Sequence, residues 1–157
     1  MDAITLLRED HQKVKQLFSE IEETEDAKKL KETFDEIMTE LTVHERIEEE
    51  IFYPAVEARA QKKEVKELVI ESYLEHGFVD RVAEEVLKDK PGSETWKAKA
   101  KIMKEQLEHH AFEEEEGKLF PKVKEIFSAE ELTSLGEEML DLKETAMEEL
   151  EKAAGKA

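Results

Sequence analysis

The 157-residue sequence contains no cysteine. Disulfides, thiolate zinc sites, iron–sulfur clusters and a cysteine nucleophile are therefore excluded. Only five glycines and three prolines punctuate a chain rich in Glu, Lys, Leu and Ala, so it reads as all-helical. No apolar run approaches a membrane span. The N-terminal Met-Asp-Ala-Ile-Thr-Leu-Leu-Arg-Glu-Asp-His carries acids early and has no long apolar core, so it does not read as a signal peptide, and the expected location is cytoplasmic. Bases are also short. With 24 Lys and Arg against 42 Asp and Glu, the net charge is −18, which argues against nucleic acid or an anionic membrane as partner. The same acidity suits a cation-binding protein.

The apolar rhythm predicts five helices. The first runs from Asp2 to about Glu23 with the stripe Ile4, Leu7, His11, Val14, Phe18, Ile21. The second spans about 27–60, with Leu30, Phe34, Ile37 and Leu41 continuing into His44, Glu48 and Ile51, and Pro54 expected to kink it. The third, about 63–88, has the stripe Val65, Val69, Ser72, His76, Val79, Ala83, Val86. Ser93 caps a fourth, with Trp96, Ala100, Met103, Leu107, His110 and Glu114 on one face and Pro121 following. Ser128-Ala129-Glu130-Glu131 opens a fifth, whose stripe of Leu132, Leu135, Met139, Leu142, Ala146 and Leu150 holds no inward polar residue. The expected layout is residues 1–127 as an antiparallel up-down-up-down four-helix bundle and 128–157 as an amphipathic helix packed on it or on a partner chain, with a dimer as one outcome.

A weak internal repeat relates two of these helices. His44-x-x-x-Glu48 precedes Ile51-Phe52-Tyr53-Pro54, and His110-x-x-x-Glu114 precedes Lys118-Leu119-Phe120-Pro121. The His-to-Pro distance is one residue longer in the second copy. A local π-bulge absorbs that difference, or Glu115 replaces Glu114 as the inward carboxylate.

Four helices thus bring a histidine to a core register and two of them add a glutamate one turn on. Buried carboxylates without partners cost several kcal/mol, so this set needs a common partner. An i, i+4 spacing puts each pair on one helix face, and the faces of a bundle converge on its axis. Imidazole and carboxylate without thiolate suit iron, manganese or zinc, and the number of ligand-type residues fits a dinuclear site. Alternatives fare poorly. There is no Gly-x-Ser-x-Gly and no glycine-rich phosphate loop. The Glu-x-x-His signature of ferritin-like sites is absent, since Arg8, Leu41, Tyr73, Gln106 and Leu107 stand three residues before the histidines.

Asp10-His11, His44-x-x-x-Glu48 before Phe-Tyr-Pro, Glu75-His76, and His110-x-x-x-Glu114 before Leu-Phe-Pro together resemble the hemerythrin HHE cation-binding domain, over residues 1 to about 127. The resemblance implies two iron ions, oxo- or hydroxo-bridged (manganese or zinc being alternatives), with His11, His44, His76 and His110 as terminal ligands and Glu48 and Glu114 bridging. The oxygen carriers of that family have a further histidine where this chain has Asp80, which is then either a third carboxylate ligand or a surface residue. His109 lies about 100° from the helix stripe and is expected outside the site. The function so implied is binding of O2, nitric oxide or peroxide for binding, sensing or protection. The alternatives are a di-iron enzyme that decomposes peroxide or acts as an oxidase, and iron or other metal storage.

Overall fold

Asp2 accepts the Thr5 N–H at 2.8 Å and so starts the first helix. The computed structural model describes residues 1–155, and every regular element among them is helical. The elements are α1 (Ala3–Glu22), α2 (Ala27–Ile47), α3 (Tyr53–Arg59), α4 (Lys63–Leu87), α5 (Glu94–Glu108), α6 (Phe120–Ile126) and α7 (Ala129–Gly155). Two π-helical segments, Glu48–Phe52 and His109–Leu119, join α2 to α3 and α5 to α6 without a break. The expected second and fourth helices are therefore each one continuous rod with a π segment in the middle.

The rods pair α1 with α2 and α4 with α5, and α1 closes the bundle against α5 and the second π segment. α7 lies along α1 and α2 and buries Leu132, Leu135, Met139 and Ala146. Gly136 allows its close approach, because a Cβ there would collide with the backbone of Met1, Asp2 and Ala3.

The buried apolar residues fall into two clusters. Leu6, Leu7, Ile47, Phe52, Tyr53, Val56, Val69, Leu119 and Phe120 belong to one. Val14, Phe18, Leu30, Phe34, Leu41, Val79, Trp96 and Met103 belong to the other. On three rods the histidine separates these two sets in sequence, His11 between Leu7 and Val14, His76 between Val69 and Val79, His110 between Met103 and Leu119; on the second rod His44 follows Leu41 of one set and Val43 of the other. A buried polar layer thus crosses the middle of the bundle, whose remaining buried residues are apolar apart from Thr33 and Ser72.

The π segments follow from the prolines. Pro54 and Pro121 lack the N–H that would continue an α-helical ladder. The N–H one residue earlier instead bonds five residues back, Tyr53 to the Glu48 carbonyl and Phe120 to the Glu115 carbonyl. The second segment has 11 residues against 5 in the first. It accommodates the extra residue between His110 and its carboxylate.

Candidate metal centre

Each rod delivers one histidine whose Nε2 points to the bundle axis, and the two π segments deliver the carboxylates Glu48 and Glu115. Both carboxylates are fully buried, and all four histidines are under 7% exposed. Oε1 of Glu48 lies 3.1 Å from Nε2 of both His44 and His76. Glu115 spans the other pair, with Oε1 3.0 Å from His11 Nε2 and Oε2 3.4 Å from His110 Nε2. His76 and His110 approach Nε2 to Nε2 at 3.1 Å. The donors form two overlapping groups: His11, His44, Glu48 and Glu115 in one, Glu48, His76 and His110 in the other.

Several of these atoms are close without being hydrogen bonded. His11 Nε2, His44 Nε2, Glu48 Oε2 and Glu115 Oε1 are buried and have no aligned partner. Buried polar atoms are ordinarily satisfied, and leaving several unsatisfied in one layer is costly. Donor atoms that crowd to about 3 Å, four of them with no hydrogen bond, are arranged as ligands of a common cation about 2.1 Å from each. The residues present fit a metal group.

The opposite nitrogens of the four rings are all engaged. Nδ1 of His44 bonds Asp10 at 2.9 Å, that of His76 bonds Glu49 at 2.7 Å, that of His110 bonds Glu75 at 2.8 Å and that of His11 bonds Glu116 at 2.5 Å. A carboxylate on Nδ1–H fixes the tautomer, leaves the Nε2 lone pair free and raises its basicity. The four acids follow one rule. Each is the sequence neighbour of an inward ligand (Asp10 of His11, Glu49 of Glu48, Glu75 of His76, Glu116 of Glu115) and reaches across to the histidine of the next rod. The bonds run α1 to α2, first π segment to α4, α4 to second π segment, and second π segment back to α1, closing a ring.

Burial and neighbouring charges pull these groups in opposite directions. Burial lifts the Glu115 carboxyl above its ordinary value, and the neighbouring Glu48 charge adds to the lift. Burial pushes Glu48 the same way, but the imidazoles, His44 foremost, hold it well below the usual carboxylate range. Burial disfavours charge on His11 and His44 too, yet their carboxylate partners raise both.

Two expected ligands lie elsewhere. Glu114, expected to bridge, instead bonds Lys118 at 3.0 Å on the flank of the rod, and Glu115 stands in the buried layer. Asp80 is exposed and lines a surface hollow with Glu45 and Glu49, outside the buried donor groups. The inward stripe of α4 runs Ser72, His76, Val79, Ala83 and so passes Asp80 by. His109 is half exposed and pairs with Glu113 at 2.8 Å. Tyr53 is the residue that sequence reasoning passed over. Its buried phenol donates to Glu115 Oε2 at 2.5 Å and lies 3.4 Å from Nε2 of both His76 and His110. Its pKa is held well above 10, by burial first and then by the Glu115 and Glu48 charges.

A model of the hemerythrin HHE cation binding domain matches residues 2–123. The chain belongs to that family. Among solved structures it is similar to a hemerythrin HHE cation binding domain-containing protein from Mycobacterium kansasii, with a TM-score of 0.83 and 28% identity over 95% of this chain and 89% of that one. Among curated proteins it is similar to a DNA nickase of Nostoc sp. (strain PCC 7120), 29% identical over 131 residues. That match takes in 83% of this chain but 36% of the nickase, so this HHE domain spans about a third of that relative's length. No described helix of the HHE domain is long and apolar enough to cross a membrane.

Proposed function

We propose that this HHE domain is a cytoplasmic non-haem di-iron protein whose buried centre takes O2 or a related small molecule, nitric oxide or peroxide, for binding, sensing or protection. The observation that carries the reading is the pair Glu48 and Glu115, each within 3.4 Å of imidazole nitrogens from both sides of the layer. Iron, when bound, supplies an electrophilic and redox-active position for a small ligand.

The chain's own residues limit what can reach that position. A cavity of about 30 Å³ lined by His11, Val14, Phe18, Leu41, Leu107 and Phe112 adjoins the layer. It holds one or two water-sized molecules and nothing larger. It shares Phe18, Lys104 and Glu108 with an open groove of about 570 Å³ beside α1 and α5, which gives small molecules a way in from the surface. The ring of outer carboxylates keeps each imidazole aimed while the ligand comes and goes, and makes each Nε2 a stronger donor to a cation.

Turnover of peroxide is a second reading, favoured by Tyr53, a phenol whose proton sits on Oη beside the donor set. The nickase activity named for the Nostoc relative finds less support, because a net charge of −18 opposes contact with phosphates.

Metal analysis and an absorption spectrum, on protein purified without added metal, test the reading. About two iron ions per chain are expected, as in other carboxylate-bridged bundle sites. A single tightly held zinc and no iron after anaerobic reconstitution would overturn it. Exposing the reduced protein to air, and separately to peroxide, separates a persistent adduct from consumption of the ligand.

A further inference from the structure

The outer face of α4 is apolar where nothing in the chain covers it. Ile70, Leu74 and Phe78 are 59%, 60% and 50% exposed and stand four residues apart. Residues at that spacing are neighbours on a helix surface, so the three form one continuous strip. Apolar side chains scattered singly over a surface are ordinary, whereas a contiguous patch marks a contact. The apolar stripe of α7, by contrast, is spent inside the chain on α1 and α2. Gly77 lies beside Leu74 on the same flank of the helix. A Cβ there would meet only the Arg81 side chain, at 3.9 Å, and the backbone is ordinary helix. Glycine inside a helix is destabilising relative to alanine, and nothing within the chain requires it at this place. Its missing side chain leaves room for a close neighbour from outside.

Charge identifies that neighbour. The same line of the helix carries Lys63 and Glu67 before the strip and Arg81 and Glu85 after it. Along this line the steps are of four and three residues and average close to the helical repeat of about 3.6, so it runs straight along the axis. Leu74 is its midpoint. Turned end for end about Leu74, the line is its own complement: Ile70 falls opposite Phe78, Glu67 opposite Arg81, and Lys63 opposite Glu85. A parallel arrangement instead sets each of these charges against its own like, which repels. The line is also neutral, with two bases and two acids, in a chain of net charge −18. Glu85 already holds Lys88 and Lys99, and Lys63 approaches Glu67 loosely at 3.6 Å, so the Glu67–Arg81 match is the one that counts most.

We propose that the outer face of α4 joins two copies of this chain, packed antiparallel across a two-fold axis at Leu74. A two-fold contact uses the same patch on both copies, so each pairing occurs twice. Ile70 of each copy meets Phe78 of the other, and Glu67 of each meets Arg81 of the other. Leu74 meets its own counterpart, where Gly77 lets the two backbones approach. The contact does not depend on what the polar layer binds, because His76 lies about 200° round the helix from Leu74 and faces the bundle. One helix from each copy makes a small contact, so association is weak, with a Kd on the order of 10 µM.

Sedimentation velocity on the untagged full chain reads the mass, over about 1–500 µM and at about 0.15 M salt, where repulsion between two acidic copies is screened. The mass is expected to rise from 18.2 kDa toward twice that value across this range. Leu74→Lys sets two ammonium groups together at the axis and should weaken association by about 30-fold or more, with helicity unchanged because the site is exposed. Glu67→Arg and Arg81→Glu should each weaken it by about tenfold, since each substitution alters two pairs. The variant carrying both exchanges the charges across the contact and should restore the dimer. A chain that stays monomeric up to the highest concentration would overturn the proposal. So would a dimer that Leu74→Lys leaves untouched, because it must use another surface. Loss of the dimer in both single charge variants with no recovery in the double one would overturn the antiparallel pairing.

Discussion

Lys143 of α7 and Asp10 of α1 meet at 2.6 Å, and the other oxygen of Asp10 holds Nδ1 of His44. The C-terminal helix is thus two bonds from the metal layer. Burial of Asp10 favours its neutral form, but His44 and Lys143 together hold it ionised and lower its pKa. Lys143→Ala should weaken cation binding by about tenfold, near the lower end of the range for outer partners of ligating histidines, and Asp10→Asn should do more, up to about 100-fold. Chelator competition on the loaded protein measures both. Equal affinity in Lys143→Ala and wild type would show that α7 is only packing.

The carboxylate assignment predicts a contrast between neighbours. Glu115→Gln should cost the protein at least half its iron, because the residue spans both halves of the layer. Glu114→Gln and Asp80→Ala should leave iron content and spectrum unchanged, since neither side chain enters the layer. Metal content of the three purified variants decides it. Retention of full iron by Glu115→Gln alone would move the bridging role elsewhere.

Removing metal should make stability depend on pH in a defined direction. Burial pulls His76 down, but its bonds to Glu48 and Glu49 outweigh this and carry it from 6.5 to about 10. Burial also lifts Glu45 to about 8, against the pull of His76 and with help from Asp80. Both groups bind more protons folded than unfolded, so the stability they confer is complete in mild acid. For His76 it is lost as pH rises from 6.5 to about 10, and for Glu45 as pH rises from 4.5 to about 8. The Tm of chelated protein should fall steadily between pH 6 and pH 10. Loaded protein should change less, because the cation replaces the protons. The gap in Tm between the two forms should therefore widen toward alkaline pH. A gap that closes there would count against a cation in this layer.

Access by way of the small cavity can be tested by filling it. Leu107 is half-buried and lines it, so a larger ring is tolerated there with modest strain. Leu107→Trp should slow azide or nitric oxide binding to the loaded protein at least tenfold and leave iron content intact. Stopped-flow mixing gives the rate. An unchanged rate would send the ligand in by another route.

Much of the site was legible in the sequence because helical periodicity is a strong constraint. The steps of three and four placed His11, His44, Glu48, His76 and His110 inward, and all of them are buried. Glu115 was open because counting four from His110 assumes an α-helix, whereas the chain there is π-helical. Counting back from the prolines gives six residues to both Glu48 and Glu115, and this register is the better guide. Asp10 and Glu75 entered only as the neighbours of His11 and His76 in the quoted motifs, and Glu49 and Glu116 were hidden among 42 acids, since nothing about one surface-register acid marks it as reaching across to another rod. Tyr53 entered only as part of the Phe-Tyr-Pro motif, because the sequence does not show where its hydroxyl lies relative to the other rods.

The ring of carboxylates ties the four rods into one polar circuit. Each rod gives an acid to the next and takes one from the rod before it. A slip of any one rod along its axis therefore disturbs two histidines at once: its own, which loses the acid reaching it, and the one its acid holds. The contacts that aim the metal ligands thereby also fix the vertical register of the four helices against one another.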